Sequence, residues 1–341
     1  MSFFYKEQFI SGNEAAVQGA IAGGASFFSG YPITPATEIL EISAKINAEF
    51  PNDFLMIQAE DETTAGFNVI GAILAGVRAF TATAGPGNIL MQDPIAMAEA
   101  MRLPFVGIIM QRGGPSTGTV IYGQQEITLT AFGGNGEGLR IVYSTNSPQE
   151  LYDYTKKSFE MAWRYRFPTF VLGDGYQSKE KAKVKMKNEK QKIKNENFKI
   201  GNIRNCYGFE DELNQVSTKN ISDFKLVAPK IIEYEKYLCN DAESVIFCHG
   251  IISLAAKEAV DKLRKRGKKV GLFRPITINP FPALAASSVV SKAKKIYVVE
   301  SSGGAFLRLV KANINCDENK IVELLRPVLG ITSEEIMEKV K

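Results

Sequence analysis

From Asn13 to about Asp174 the chain alternates short apolar runs with longer segments rich in alanine and glycine. The runs at 54–58, 79–84, 105–110, 141–144 and 169–173 have strand length. Ser26-Phe27-Phe28-Ser29 reads as the end of another strand. The intervening segments, such as Ala65-Gly66-Phe67-Asn68-Val69-Ile70-Gly71-Ala72, read as helices whose small faces allow close packing. This rhythm is that of a parallel, doubly wound sheet with helices on both sides. Ile39, Ile42 and Ile46 give the first helix after Ser29 one apolar face.

The pattern breaks at residues 179–199, which hold nine lysines, three glutamates and few apolar positions. That composition reads as a solvated linker or an exposed helix. Residues 202–239 form a less regular connector with a helix expected around 225–238. A second α/β unit opens near Glu243. Val245-Ile246-Phe247-Cys248 is a strand, 254–266 an amphipathic helix stopped by Gly267, and 270–273 and 295–300 are further strands. The expected organisation is therefore a sheet domain over 1–178, a lysine-rich linker and connector over 179–242, and a smaller α/β domain over 243–341.

A chain of 341 residues fits two or three domains. Its 45% hydrophobic content is that of a globular protein, and no apolar run reaches the ~18 residues of a membrane span. With no signal-peptide pattern at the N-terminus, a cytoplasmic location is expected. The net charge of +4 is mild and concentrated in the lysine-rich stretch, which gives no case for nucleic-acid binding. Cys206, Cys239, Cys248 and Cys316 are far apart, so they read as reduced, inert thiols rather than cluster ligands. The single histidine, His249, leaves acid–base work to carboxylates or a cofactor and reads as structural or partner-facing. No metal site is expected on this chain.

The densest local signal is Gly30-Tyr31-Pro32-Ile33-Thr34-Pro35-Ala36-Thr37-Glu38. Two prolines stiffen this strand-to-helix turn, and Thr34 is placed to cap the following helix with Pro35 at its first position. The turn lies at the carboxyl end of a strand, where open α/β sheets bind ligands. Glu60-Asp61-Glu62 follows the strand at 54–58 and opens the helix at 63–76. As a triplet it reads first as acids at a helix N-terminus. Glu62 and Glu60 are the two positions from which a buried carboxylate could serve acid–base chemistry. Gly85-Pro86-Gly87-Asn88 reads as a tight turn that can also cradle an anion. Met91, Met97 and Met101, at helical spacing beyond it, read as core or interface filler. Arg112 ends the strand at 105–110 and enters Gly113-Gly114-Pro115-Ser116-Thr117-Gly118. A guanidinium there can clamp a carboxylate, with the hydroxyls of Ser116 and Thr117 beside it.

In that order and spacing, these motifs resemble the α subunit of the 2-oxoacid:ferredoxin oxidoreductases, over about residues 12–305. The resemblance implies a pyrimidine-side thiamine-diphosphate domain followed by a transketolase C-terminal-like domain. It makes Glu62 the catalytic carboxylate on the aminopyrimidine ring, with Glu60 as its competitor. Tyr31, Pro32, Ile33 and Gly85 line the cofactor with it, and Thr34, Arg112, Ser116 and Thr117 bind the substrate. The cofactor is thiamine diphosphate, shared with a β subunit that brings magnesium and an iron–sulfur cluster. Further implied partners are a CoA-binding γ subunit, a ferredoxin-like δ subunit, and ferredoxin as electron acceptor. The implied reaction is oxidative decarboxylation of a 2-oxoacid to acyl-CoA and CO2. Arg-Gly-Gly-Pro-Ser-Thr-Gly looks most like the 2-oxoglutarate and 2-oxoisovalerate members, with 2-oxoglutarate favoured and pyruvate as an alternative. Arg140 is the candidate for pairing a distal carboxylate. Ala36 and Ala84 stand where the family often has serine.

Gly173-Asp174-Gly175, with Asn195, Asn197 and Asn202 further on, mimics the magnesium and diphosphate motif of thiamine enzymes. The lysine-rich stretch between them lacks the strand and helix such ligands need, so Asp174 reads as structural. Two rival readings are a transketolase-type subunit acting on sugars and a non-catalytic scaffold. The first would need its own diphosphate domain. Loss of Glu62 or Arg112 would have favoured the second.

Overall fold

The computed structural model describes residues 7–186 and 203–340. Fourteen strands are numbered along these residues. They are β1 (Glu7–Ser11), β2 (Phe27–Gly30), β3 (Leu55–Gln58), β4 (Ala79–Thr83), β5 (Val106–Gln111), β6 (Ile141–Ser144) and β7 (Thr169–Asp174). There follow β8 (Lys181–Lys185), β9 (Tyr234–Tyr237), β10 (Ser244–Phe247), β11 (Val270–Pro275), β12 (Thr277–Asn279), β13 (Lys295–Glu300) and β14 (Ile321–Leu325).

The first sheet runs β12-β6-β7-β5-β4-β2-β3, parallel except for β12. Every residue of β4, β5 and β7 is buried, as expected for strands covered on both faces. One cover is built by the helices Gly12–Ala22, Thr37–Glu49 and Pro148–Tyr165, which press Val17, Ile39 and Phe159 onto Phe28, Phe80 and Ile108. The helices Glu62–Leu74, Gln92–Ala100 and Ile127–Phe132 build the other with Val69, Ile95 and Ile127. That second layer continues without a break into Phe247, Phe273, Val298 and Phe306, so the two sheets share one apolar core. Met91 is buried in it and Met97 and Met101 pack against it. The second sheet runs β14-β13-β10-β11-β9, with β9 alone antiparallel. The architecture is thus the α/β, mostly parallel pair of sheets that the sequence pattern predicts. No helix among the described residues is long and apolar enough to cross a membrane.

Three local expectations need correction. Lys181–Lys185 is not linker but a strand, paired antiparallel with β1 so that Phe9 faces Lys183. Its lysines alternate with Ala182 and Val184, and Val184 is buried beside Ala15 and Tyr152. The period of two outweighs the charged composition. The remainder of that stretch, including Asn195, Asn197 and Asn202, lies outside the described residues. The connector's helix spans Glu210–Ile231 rather than 225–238, and Tyr234–Tyr237 joins the second sheet. Only Phe224 and Ile231 of that helix are buried, which leaves little apolar periodicity to read. Phe224 sits edge-on to Phe167 at 4.9 Å, and Asp223 pairs with Arg102, so the helix is docked on the first sheet's flank. The segment after β11 returns to the first sheet as β12, with Thr277 opposite Tyr143.

The third correction concerns Thr34. The helix begins at Thr37, with Ala36 at its N-cap position and no side-chain cap, so Thr34 does not cap it and Pro35 is not its first residue. Residues 33–36 form a separate turn, closed by the Ala36 amide on the Ile33 carbonyl, and the Thr34–Pro35 peptide is cis. Buried Asn13 holds this turn from below by donating to the Pro35 carbonyl at 2.9 Å and to Glu38. The tertiary bond replaces the local cap and leaves Thr34 exposed at the strand end.

Candidate active site

Parallel order places the carboxyl ends of β2, β3, β4, β5 and β7 along one rim of the first sheet. The chain steps outward from β2 to β3, then crosses back to β4 and continues to β5 on the other side. The crevice of such a sheet opens where those directions diverge, between β2 and β4. Tyr31–Thr34 leave β2 there, Gly85 follows β4, Arg112 follows β5, and Glu62 begins the helix after β3.

Each acid of the 60–62 triplet has a different fate. Glu60 is exposed. Asp61 is the N-cap, its Oδ1 accepting from the Thr64 amide at 2.6 Å, and that bond lowers its pKa. Glu62 is left free to turn inward and is 3% exposed. Its carboxylate lies over the Gly85-Pro86-Gly87 turn. A Cβ built on Gly87 would come within 2.2 Å of Glu62 Oε1 and 2.1 Å of Thr83 Oγ1, so only glycine fits beneath the acid. Burial raises the Glu62 pKa, with repulsion from Asp61 adding to it and Arg112 opposing it. Helix capping and a buried acid therefore both occur in the triplet, on neighbouring residues.

Arg112 is 5% exposed, and its Nη1 donates to the Thr34 carbonyl at 2.8 Å. Its stem packs on Gly85, where a Cβ would meet Arg112 Nε at 2.6 Å; Gly85 also sits at φ +51°. The Nε is buried without a hydrogen-bond partner among the described residues. The same holds for Thr83 Oγ1, beside Glu62. Such orphaned groups at a glycine-lined rim are what a bound polar ligand would satisfy.

Tyr31, Pro32 and Thr34 are exposed and Ile33 is half-buried, so the rim is open on the β2 side. Ser116 and Thr117 are exposed on the loop after Arg112, with Ser116 at φ +53°. Neither hydroxyl is hydrogen-bonded to another described residue. The structure thus brings Thr34, Glu62, Gly85 and Arg112 together and leaves Ser116 and Thr117 on a neighbouring loop.

Arg140 is not in the site. It is fully buried, with Nε 3.1 Å from Glu99 Oε2 and further bonds to Gln92 and the Thr130 and Gly133 carbonyls. Burial behind the helix Gln92–Ala100 overrides the expectation that it reads a substrate. Asp174 is structural: its Oδ1 accepts from the Tyr176 and Gln177 amides and its Oδ2 from Gln177 Nε2. Burial pushes its pKa up to about 6. His249 is buried between the sheets, with Nδ1 3.0 Å from Ser144 Oγ and its ring against Phe306. Burial pushes its pKa down to about 3.

Two buried residues at the rim are not singled out by sequence pattern. Asn13, which holds the Thr34 turn, reads as one polar position early in a helix. Glu126 accepts from the amides of Gly85 and Arg112 at 2.9 and 3.0 Å. Its sequence signal, one acid ahead of Ile127-Thr128-Leu129, is that of any helix start.

Known proteins resemble this chain in sequence and fold. Residues 18–224 match the family model described as pyruvate flavodoxin/ferredoxin oxidoreductase, thiamine diphosphate-binding. Residues 242–336 match the core domain II of pyruvate:ferredoxin oxidoreductase. The ketoisovalerate oxidoreductase subunit VorB of Methanothermobacter marburgensis is 32% identical, over 98% of this chain and 97% of its own. The 2-oxoglutarate synthase subunit KorA of Methanocaldococcus jannaschii is 34% identical, over 88% and 89%. A solved 2-oxoglutarate:ferredoxin oxidoreductase from Magnetococcus marinus, with 2-oxoglutarate, coenzyme A and succinyl-CoA bound, superposes with a TM-score of 0.88 at 25% identity. That match covers 98% of this chain and 65% of the longer one. The buried acid over a glycine turn fits the thiamine diphosphate that the matched domain binds, and the chain belongs to the 2-oxoacid:ferredoxin oxidoreductase family.

Proposed function

We propose that this chain is the α subunit of a 2-oxoacid:ferredoxin oxidoreductase that converts a 2-oxoacid, CoA and oxidised ferredoxin to acyl-CoA, CO2 and reduced ferredoxin. The observation that carries this reading is the buried, pKa-raised Glu62 held beside Arg112 at the switch point of the sheet. Thiamine diphosphate, when bound, supplies the carbon nucleophile and electron sink that decarboxylation requires. Glu62 shares a proton with the ring nitrogen of the aminopyrimidine, a task suited to a carboxylate away from water. Tyr31, Pro32, Ile33 and Gly85 form the walls around that ring. Arg112 orients the substrate's 1-carboxylate against Thr34, and Ser116 and Thr117 complete the pocket from the adjoining loop.

The open β2 side of the rim supports a partner there. In this reading a β subunit brings the diphosphate site, magnesium and an iron–sulfur cluster. A γ subunit binds CoA, a ferredoxin-like δ subunit relays electrons, and the complex works in the cytoplasm. The first sheet would form the core of one domain, over 1–178, and the second sheet that of another, over 243–341, with Tyr234–Tyr237 of the connector pairing into the second sheet and Thr277–Asn279 returning to the first.

The first acid to test is 2-oxoglutarate, on which the relatives' names and the superposed structure both bear. Burial of Arg140 against Glu99 favours a second reading, a branched-chain acid such as 2-oxoisovalerate, because it removes the candidate partner for a distal carboxylate. Anaerobic viologen reduction by the complex that co-purifies with the tagged chain decides between them. It should be run with 2-oxoglutarate, 2-oxoisovalerate and pyruvate, each with and without CoA. CoA-dependent reduction is expected with one preferred acid. No reduction from a complex containing thiamine diphosphate and iron–sulfur partners would overturn the reading.

A further inference from the structure

We propose that Glu126 is a positioning residue that ties the Gly85 turn to the Arg112 loop and so fixes the spacing between the Glu62 seat and the substrate clamp. The proposal rests on the roles assigned above to Glu62 and Arg112. The two loops leave neighbouring strands, β4 and β5, and nothing in a parallel pairing holds them in step beyond the strand ends. Glu126 supplies the tie. One carboxylate oxygen, Oε1, accepts from the Gly85 amide at 2.9 Å and from the Arg112 amide at 3.0 Å. The other, Oε2, accepts from Asn88 Nδ2 at 3.0 Å, within the helix that the Gly85 turn opens. Gly87, whose missing Cβ makes room for Glu62, lies between those two anchor points.

The local chemistry is unusual for a helix start. Glu126 occupies the N-cap position of the helix Ile127–Phe132, yet its side chain makes no capping bond. Here the side chain is directed away from its own helix toward two other loops. Three donors converge on it, which suits an ionised carboxylate because that group only accepts. Burial raises its pKa, and the hydrogen bonds from the Arg112 and Gly85 amides and from Asn88, together with the Arg112 guanidinium, oppose that rise.

Glutamine cannot replace it in kind. Its amide nitrogen would face either Asn88 Nδ2 or the two backbone amides, setting donor against donor. Asn88 cannot turn to accept, because Nδ2 also donates to Thr130 Oγ1 while Oδ1 accepts from Gln92 Nε2. Glu126→Gln therefore leaves at least one buried donor unpaired while preserving volume.

The test is hydrogen exchange by mass spectrometry on the full chain with the subunits that co-purify with it. Wild type, Glu126→Gln and Glu126→Asp are compared, with steady-state kinetics on the same samples. In Glu126→Gln the segments containing Gly85 and Arg112 should exchange about tenfold faster, with β4 and β5 themselves unchanged. The KM for the 2-oxoacid should rise about tenfold while bound thiamine diphosphate stays near the wild-type content. Glu126→Asp, which keeps the charge on a shorter arm, should fall between the two, and it carries the test if Glu126→Gln does not assemble. A merely structural role would instead speed exchange across the whole sheet and lower kcat with KM unmoved; that result overturns the proposal. Unchanged exchange at both segments overturns it as well. Exchange needs no substrate, so a wild-type complex inactive on every 2-oxoacid would defeat the functional reading without touching this result.

Discussion

The carboxylate of Glu62 rests on the Cα of Gly87, and a Cβ there would stand 2.2 Å from Oε1. The same Cβ would also strike Thr83 Oγ1 at 2.1 Å, so the acid is wedged between a turn and a buried strand end. Gly87→Ala must push the carboxylate away or shift the turn. Misplacement of a reacting group by about 1 Å can cost ~100-fold in rate. We expect Gly87→Ala to lower 2-oxoacid-dependent viologen reduction by at least that factor while the complex still assembles. Wild-type turnover in the variant would show that Glu62 does not work from this seat.

Glu62→Gln tests the acid itself in two ways. Activity should fall at least ~100-fold, the contribution of a positioned acid–base group. Stability should move the other way. Burial raises the folded-state pKa above the ordinary value of 4.5, so the folded chain holds this proton more tightly than the unfolded one. Such a group subtracts stability as pH climbs through the interval between those two values, and the loss stays constant above it. Removing it should raise the melting temperature near neutral pH, and the gain should vanish as pH drops below the ordinary glutamate range. Thermal melts from about pH 4 to 8 check the sign. A gain of equal size at every pH would mean that ionisation of Glu62 carries no such cost.

The inner strands of both sheets were legible because they are short apolar runs, and β6 and β13 occur over the expected residues. Glu62 and Arg112 were legible as positions because strand ends are where such sheets bind ligands. What escaped notice depends on contacts distant in sequence. Thr34 looks like a cap until Asn13, 22 residues before Pro35, takes the Pro35 carbonyl. Glu126 looks like a helix start until Gly85, 41 residues earlier, donates to it. Arg140 looks like a free cation until Glu99 is found 3.1 Å away. Lys181–Lys185 was obscured differently, since composition concealed a period of two.

Arg140 gives a prediction that separates stability from specificity. Its guanidinium is completely buried against Glu99, and removing one partner strands the other charge out of water. Breaking a buried pair in this way typically costs ~3–5 kcal/mol. Arg140→Gln should therefore lower the unfolding midpoint in urea strongly, with the preference among 2-oxoglutarate, 2-oxoisovalerate and pyruvate unchanged. A changed preference in a stable variant would return Arg140 to the pocket.

Arg112 should respond in the opposite manner. Its Nη1 is bound to the Thr34 carbonyl, its stem lies on Gly85, and its backbone amide is held by Glu126. The side chain can be changed without disturbing that last bond, so the loop should keep its course. Arg112→Ala should lower kcat/KM for the 2-oxoacid by ~2–4 kcal/mol, the usual loss when one partner of a buried charged pair is removed. Arg112→Lys keeps the charge but replaces a planar fork with a single ammonium, so it should recover only part of the loss. Most of the effect should appear in KM, because Arg112 meets the carboxylate before any bond breaks. Steady-state kinetics of both variants, with bound thiamine diphosphate measured in parallel, provide the check. A loss confined to cofactor content would place Arg112 on the cofactor instead of the substrate.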